Sequence, residues 1–155
     1  MTDPRSPETI GGPAARRGHR TLPHTADMRV AAWAPTRAEC IAEAVLGVAE
    51  SFTDLGGDPP CRGAETLHLE PGPPEDQLLA ALDEVIFQLD TTARVPFRAE
   101  AREEEEENGI SLRLWYTELG AVTQTGASPK GIALENLRFE QGPDGTWTCE
   151  VTVDV

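Results

Sequence analysis

The sequence predicts an α+β fold: two helices packed on one face of a mostly antiparallel β-sheet, in a single compact domain. Three observations predict it. Two stretches in the first two thirds of the chain repeat their apolar positions at helical spacing, and the later stretches alternate apolar with polar residues. The length, 155 residues, suits one hydrophobic core.

Residues 1–20 read as a flexible N-terminal tail, rich in Pro, Gly and Arg, ahead of a domain spanning 21–155. Met28, Val30 and Ala32 share one face of a short strand, which Pro35 ends. Thr36-Arg37-Ala38-Glu39 then has the capping-box pattern, in which a hydroxyl and a carboxylate satisfy the first amides of a helix. Cys40, Ile41, Ala44, Val45, Val48, Ala49 and Phe52 form one apolar stripe over about four turns. Gly56-Gly57-Asp58-Pro59-Pro60 cannot continue it. Leu67 and Leu69 alternate with Thr66, His68 and Glu70 in a half-buried strand. The second helix opens on Glu75 and Asp76, acids that the helix dipole favours, and buries Leu78, Leu79, Leu82, Val85, Ile86 and Leu89. It ends near Asp90-Thr91-Thr92.

Strands follow. Val95, Phe97, Ala99 and Ala101, then Ile110, Leu112, Leu114 and Tyr116, alternate on either side of Asn108-Gly109. That pair is a type I′ hairpin signal, because both residues tolerate positive φ. The acidic run at 103–107 reads as a solvated hairpin tip. Residues 119–129 read as a long loop, and 132–139 as an apolar stretch. Gly142-Pro143-Asp144-Gly145 turns the chain into a fully alternating strand, with Trp147, Cys149, Val151, Val153 and Val155 on one face.

Composition narrows the function. Asp plus Glu number 27 against 13 Lys plus Arg, a formal net charge of −14, which repels phosphate and argues against direct, tight nucleic-acid binding without a strongly segregated basic patch. No apolar run approaches the ~20 residues of a membrane span, and no export signal is visible, so a cytoplasmic protein is expected. Cys40, Cys61 and Cys149 are odd in number and widely spaced, as for small buried thiols in a reducing compartment. Phosphate-loop, dinucleotide, serine-elbow and zinc-helix motifs are missing.

What remains is a set of carboxylates. Asp27, in His24-Thr25-Ala26-Asp27, lies just ahead of the first strand, and Asp154 lies on the polar face of the last. Val155 adds an α-carboxylate and a terminal carbonyl. If the first and last strands are neighbours, these hard oxygens converge at one sheet edge and could hold Ca²⁺ or Mg²⁺. The same two aspartates also fit a turn cap and a solvated strand end.

The H-T-A-D opening, the P-T-x-x-E helix start at Pro35 to Glu39, the helix from Leu78 to Thr91 and the terminal Asp154-Val155 resemble the archease family. The resemblance covers Leu22 to Val155. It implies an accessory factor, not itself an enzyme, that promotes guanylylation and multiple turnover of an RtcB-type RNA ligase in tRNA splicing and RNA repair. It implies metal ligands at Asp27, Asp154 and Val155, and residues needed for ligase activation at Glu39 and Lys130. Glu39 also suits the capping box alone, Lys130 a plain surface lysine, and His24 a loop-bonding structural role. Two places depart from the family's pattern. Pro23 precedes His24 where an acid is usual, and the aromatic and histidine expected after Lys130 are replaced within Gly131-Ile132-Ala133-Leu134-Glu135-Asn136. Two other functions fit the same residues: a small metal-dependent hydrolase holding Mg²⁺ on Asp27 and Asp154, and a metal-free acidic interaction module.

Overall fold

The computed structural model describes residues 27–105 and 107–155. The N-terminal tail and His24 lie outside them. The described chain runs β1 (Met28–Ala34), α1 (Arg37–Glu50), β2 (Thr53–Asp54), β3 (Ala64–Leu69), α2 (Pro74–Thr92), β4 (Arg94–Glu103), β5 (Ile110–Glu118), β6 (Thr123–Gln124), β7 (Gly131–Gln141) and β8 (Trp147–Asp154). All strand pairs are antiparallel, so the predicted α+β class and both helices stand. The expected sheet divides by hydrogen bonding into two three-stranded sheets, β1-β8-β7 and β3-β5-β4, and a β2-β6 ribbon. The helices unite them. α1 packs on β1 and β8 of the first sheet and on β4 and β5 of the second, while α2 packs on α1, β7, β4 and β3.

Local chemistry explains the helix starts. The Thr36 hydroxyl accepts from the Glu39 amide at 3.1 Å and donates to the Glu39 carboxylate at 3.0 Å. The carboxylate thus reaches the cap's hydroxyl, a variant of the reciprocal bond of a capping box. The stripe from Cys40 to Ala49 is buried as spaced, with Phe52 just beyond it. α2 starts on Pro74, whose missing N–H would be unpaired there in any case, and it has no side-chain cap. Gly47 decides how closely α1 can lie on β1, since a Cβ added there would sit 2.7 Å from Val30 Cγ1.

Two loops differ from expectation. The β4–β5 ladder closes at Glu103 opposite Ile110, leaving a six-residue connection rather than a two-residue turn. The Glu104 amide donates to the Gly109 carbonyl at 2.8 Å, which closes the base of this longer connection. Asn108 still takes the left-handed conformation, with φ 63°. Within 119–129, Leu119–Ala121 forms a 3₁₀ turn, and Thr123–Gln124 pairs with Thr53–Asp54. A two-residue strand is too short to leave a periodic signal.

The thiols behave as buried groups, except one. Cys40 and Cys149 are buried with their sulfurs 3.8 Å apart, whereas Cys61 is exposed. The Cys40 S–H bonds to the Cys149 sulfur and is desolvated, which pushes its ionisation well above the ordinary thiol range. Iodoacetamide should therefore modify Cys61 alone in the native protein and all three thiols in urea, counted by intact mass. Rapid native modification of Cys40 would contradict this packing.

Candidate functional site

The strand register assembles the site. Met28 opposes Val153 and Arg29 opposes Thr152 along β1–β8, so one further step sets Asp27 opposite Asp154. On the other side of β8, Gly131 of β7 opposes Asp154. Asp27, Asp154 and Gly131 therefore form one row across the end of the three-stranded sheet. Val30, Ala32, Val151 and Val153 fill the inner face, so Asp154 belongs to the outer one with Thr152. Two like charges directly opposite on neighbouring strands cost stability rather than add to it. Nothing lies within 4 Å of where a Gly131 Cβ would be, which leaves open space beside the carboxylates.

Two more residues join this end. The Lys130 amide donates to the Asp154 carbonyl at 2.6 Å, which fixes the entry of β7 against the last strand. Lys130 itself is exposed, and Val155 is half-buried beyond the ladder. Asp27, Asp154 and Val155 are thus brought together, as the sequence expected if the first and last strands pair, and Lys130 joins them, which the sequence did not predict. Glu39 is not among them. It lies past the opposite end of β1, roughly 20 Å along the strand.

The donors are all oxygen: two side-chain carboxylates and the main-chain oxygens at Val155. Among the described residues no group of three or more His, Cys, Asp or Glu side chains could hold a metal. A cation here would take two carboxylates and complete its shell with main-chain oxygen and water. This donor set, with space over Gly131, fits a hard divalent ion such as Ca²⁺ or Mg²⁺ and does not suit zinc, which prefers nitrogen and sulfur. Gly131 is the residue sequence reasoning missed. In the sequence it stands out only as part of the segment after Lys130 that departs from the family's pattern; its place opposite Asp154 follows from the β7–β8 register.

Comparison with known proteins bears on the family and the fold. The family model described as the Archease protein family matches residues 19–155. A Mycobacterium tuberculosis protein named "Probable protein archease" is 42% identical over 150 residues, covering 94% of this chain and 79% of the relative. A crystal structure of a Thermotoga maritima archease, described as a possible chaperone, superposes with a TM-score of 0.61 at 18% identity, covering 91% of this chain and 100% of that one. The solution structure of a Methanobacterium thermoautotrophicum protein superposes at 0.66 and 18% identity, covering 84% and 93%. At that identity the two structures speak for the fold alone.

Proposed function

The chain belongs to the archease family, and on that premise we propose that it is a cytoplasmic accessory factor of an RtcB-type RNA ligase, not itself an enzyme. It promotes guanylylation of the ligase and so allows repeated turnover in tRNA splicing and RNA repair. The observation that carries this reading is the row of Asp27 and Asp154 on paired strands, beside the open space at Gly131. Like charges held face to face, with room beside them, are an arrangement a cation would relieve.

In this reading Asp27, Asp154 and the main-chain oxygens at Val155 hold Ca²⁺ or Mg²⁺. When bound, the ion supplies a positive charge that a phosphate oxygen or a partner's carboxylate can share. Lys130 contributes a second positive charge at the same end. Glu39 acts elsewhere, through its end of α1. The acidity of the chain suits a basic, RNA-binding partner, raising the encounter rate with it. No helix of the described residues is long and apolar enough to cross a membrane.

The test is a ligase guanylylation assay with GTP and Mg²⁺ or Ca²⁺, with and without this protein. Guanylylation should be faster, and ligation should pass one turnover, only when it is present. The protein alone should shift no tRNA in a gel at physiological salt and submicromolar concentration, since a net charge of −14 leaves little counterion-release driving force. A tight shift without the ligase, or no effect on guanylylation, would overturn the reading.

A further inference from the structure

The free edges of the two three-stranded sheets, β1 and β4, meet at a cleft of about 930 Å³ floored by α1. One wall is the consecutive backbone from Ala31 to Ala34, and the other runs from Ala99 to Ala101. Consecutive strand residues point to alternate faces, so walls built from them present strand edges, with their N–H and C=O groups. Among the described residues no ladder joins β1 to β4.

Folded proteins blunt such edges with charge, proline or a bulge. β4 does so: it carries Arg98, Glu100 and Arg102, and its register shifts between Pro96 and Arg98. β1 does not. Between Arg29 and Pro35 it has no charged residue, and Trp33 within that stretch is 67% exposed. Facing this edge, Glu43 and Glu50 project from one side of α1 and Glu100 from β4. Among the described residues, no Lys or Arg pairs with Glu43 or Glu50.

We propose that the cleft takes an extended, Lys- or Arg-bearing segment of a partner protein as an added strand on the β1 edge. Main-chain pairing supplies affinity in this mode and alternate side chains supply selectivity. The open stretch of β1 accommodates about four residues, some 13 Å of strand. Basic side chains of the segment reach Glu43 and Glu50, and a cation can lie over the Trp33 ring. A second copy of this chain could offer an edge too, but it brings another net charge of −14. Asp27, Asp154, Val155 and Lys130 lie outside this cleft, whereas Glu39 lines it. The peptide assay contains no ligase and alters only Glu43 and Glu50, so its failure and that of the ligase reading are separable.

The probe is an acetylated, amidated heptapeptide of alternating Val and Lys, added to the full chain at low salt. Tryptophan fluorescence follows binding, and amide hydrogen exchange follows β1. Binding should saturate below millimolar peptide, slow exchange within Ala31 to Ala34, and weaken at least tenfold in Glu43→Lys/Glu50→Lys. Both substitutions are at exposed positions, and unchanged melting would confirm an intact fold. A peptide with Glu for Lys, and an analogue N-methylated at every residue, should not bind. Absence of saturable binding, equal binding of the N-methylated analogue (charge without a ladder), or a micromolar dimer with Ala31 to Ala34 already protected (a second copy as occupant) would each overturn the proposal.

Discussion

Replacing Asp154 by Asn is expected to abolish ligase activation while leaving the fold unchanged. The Asp154 side chain belongs to the outer face of β8, away from the valines that fill the core. A generic change there moves stability by less than about 0.5 kcal/mol. Here the sign should be slightly favourable in metal-free buffer, because the facing carboxylate of Asp27 loses a like-charged neighbour. Activation should fall far more, by over tenfold, since Asn is an uncharged, weaker ligand in a site with only one other side-chain carboxylate. Millimolar Ca²⁺ or Mg²⁺ should raise the melting temperature of the unmodified protein by mass action and leave that of the variant unmoved. Asp27→Ala should behave alike, and the two changes together should do no more than either alone. Normal guanylylation with Asp154→Asn would place the functional centre elsewhere.

Gly47→Ala should lower stability, against the ordinary expectation for a helix interior. Elsewhere that change gains about 0.5–1 kcal/mol, because glycine loses the most backbone freedom on folding. At this position the new methyl would sit 2.7 Å from Val30 Cγ1, inside any allowed contact. Val30 is β-branched, so its rotamer cannot readily turn away, and its strand is held by the ladder to β8. Overpacking of this kind costs about 1–3 kcal/mol, which outweighs the helix gain. A net loss of about 1–2 kcal/mol corresponds to several degrees of melting temperature for a chain of this size. Val30→Ala removes the opposing methyls, so the double variant should be more stable than the sum of the two single changes by about 1 kcal/mol. A higher melting temperature for Gly47→Ala alone would show that β1 shifts freely.

The parts legible in the sequence were those with a strong local period or a local cap. Thr36 and Glu39 announced α1, and the alternation from Trp147 to Val153 announced β8 with its buried face correct. The division into two sheets was not legible, because nothing in β1 or β4 records that they fail to pair with each other. Nor was the irregularity of β7: between Ala133 and Arg138 its pairing with β8 slips, and Asn136 takes φ 63°. A strand that bulges breaks its own alternation, so 132–139 read only as apolar. At the candidate site, Asp27 and Asp154 were found from residue type and position near strand ends. Gly131 and the distance of Glu39 needed the register, a property of paired strands rather than of either one.

The pairing that builds the site joins the first described strand to the last. β1 at Met28–Ala34 must wait for Trp147–Asp154, so almost the whole described chain separates the two halves of the row. Closing so long a loop carries an entropy cost that grows only slowly with length, but non-local pairing of this kind is slow to form. The β4–β5 hairpin has no such delay. During synthesis on the ribosome, β1 therefore emerges long before its partner and has both edges exposed, including the uncharged stretch from Ala31 to Ala34. That interval is when the nascent chain is most open to aggregation through this strand. The carboxylate row, in turn, can exist only in molecules whose last strand has been made and docked.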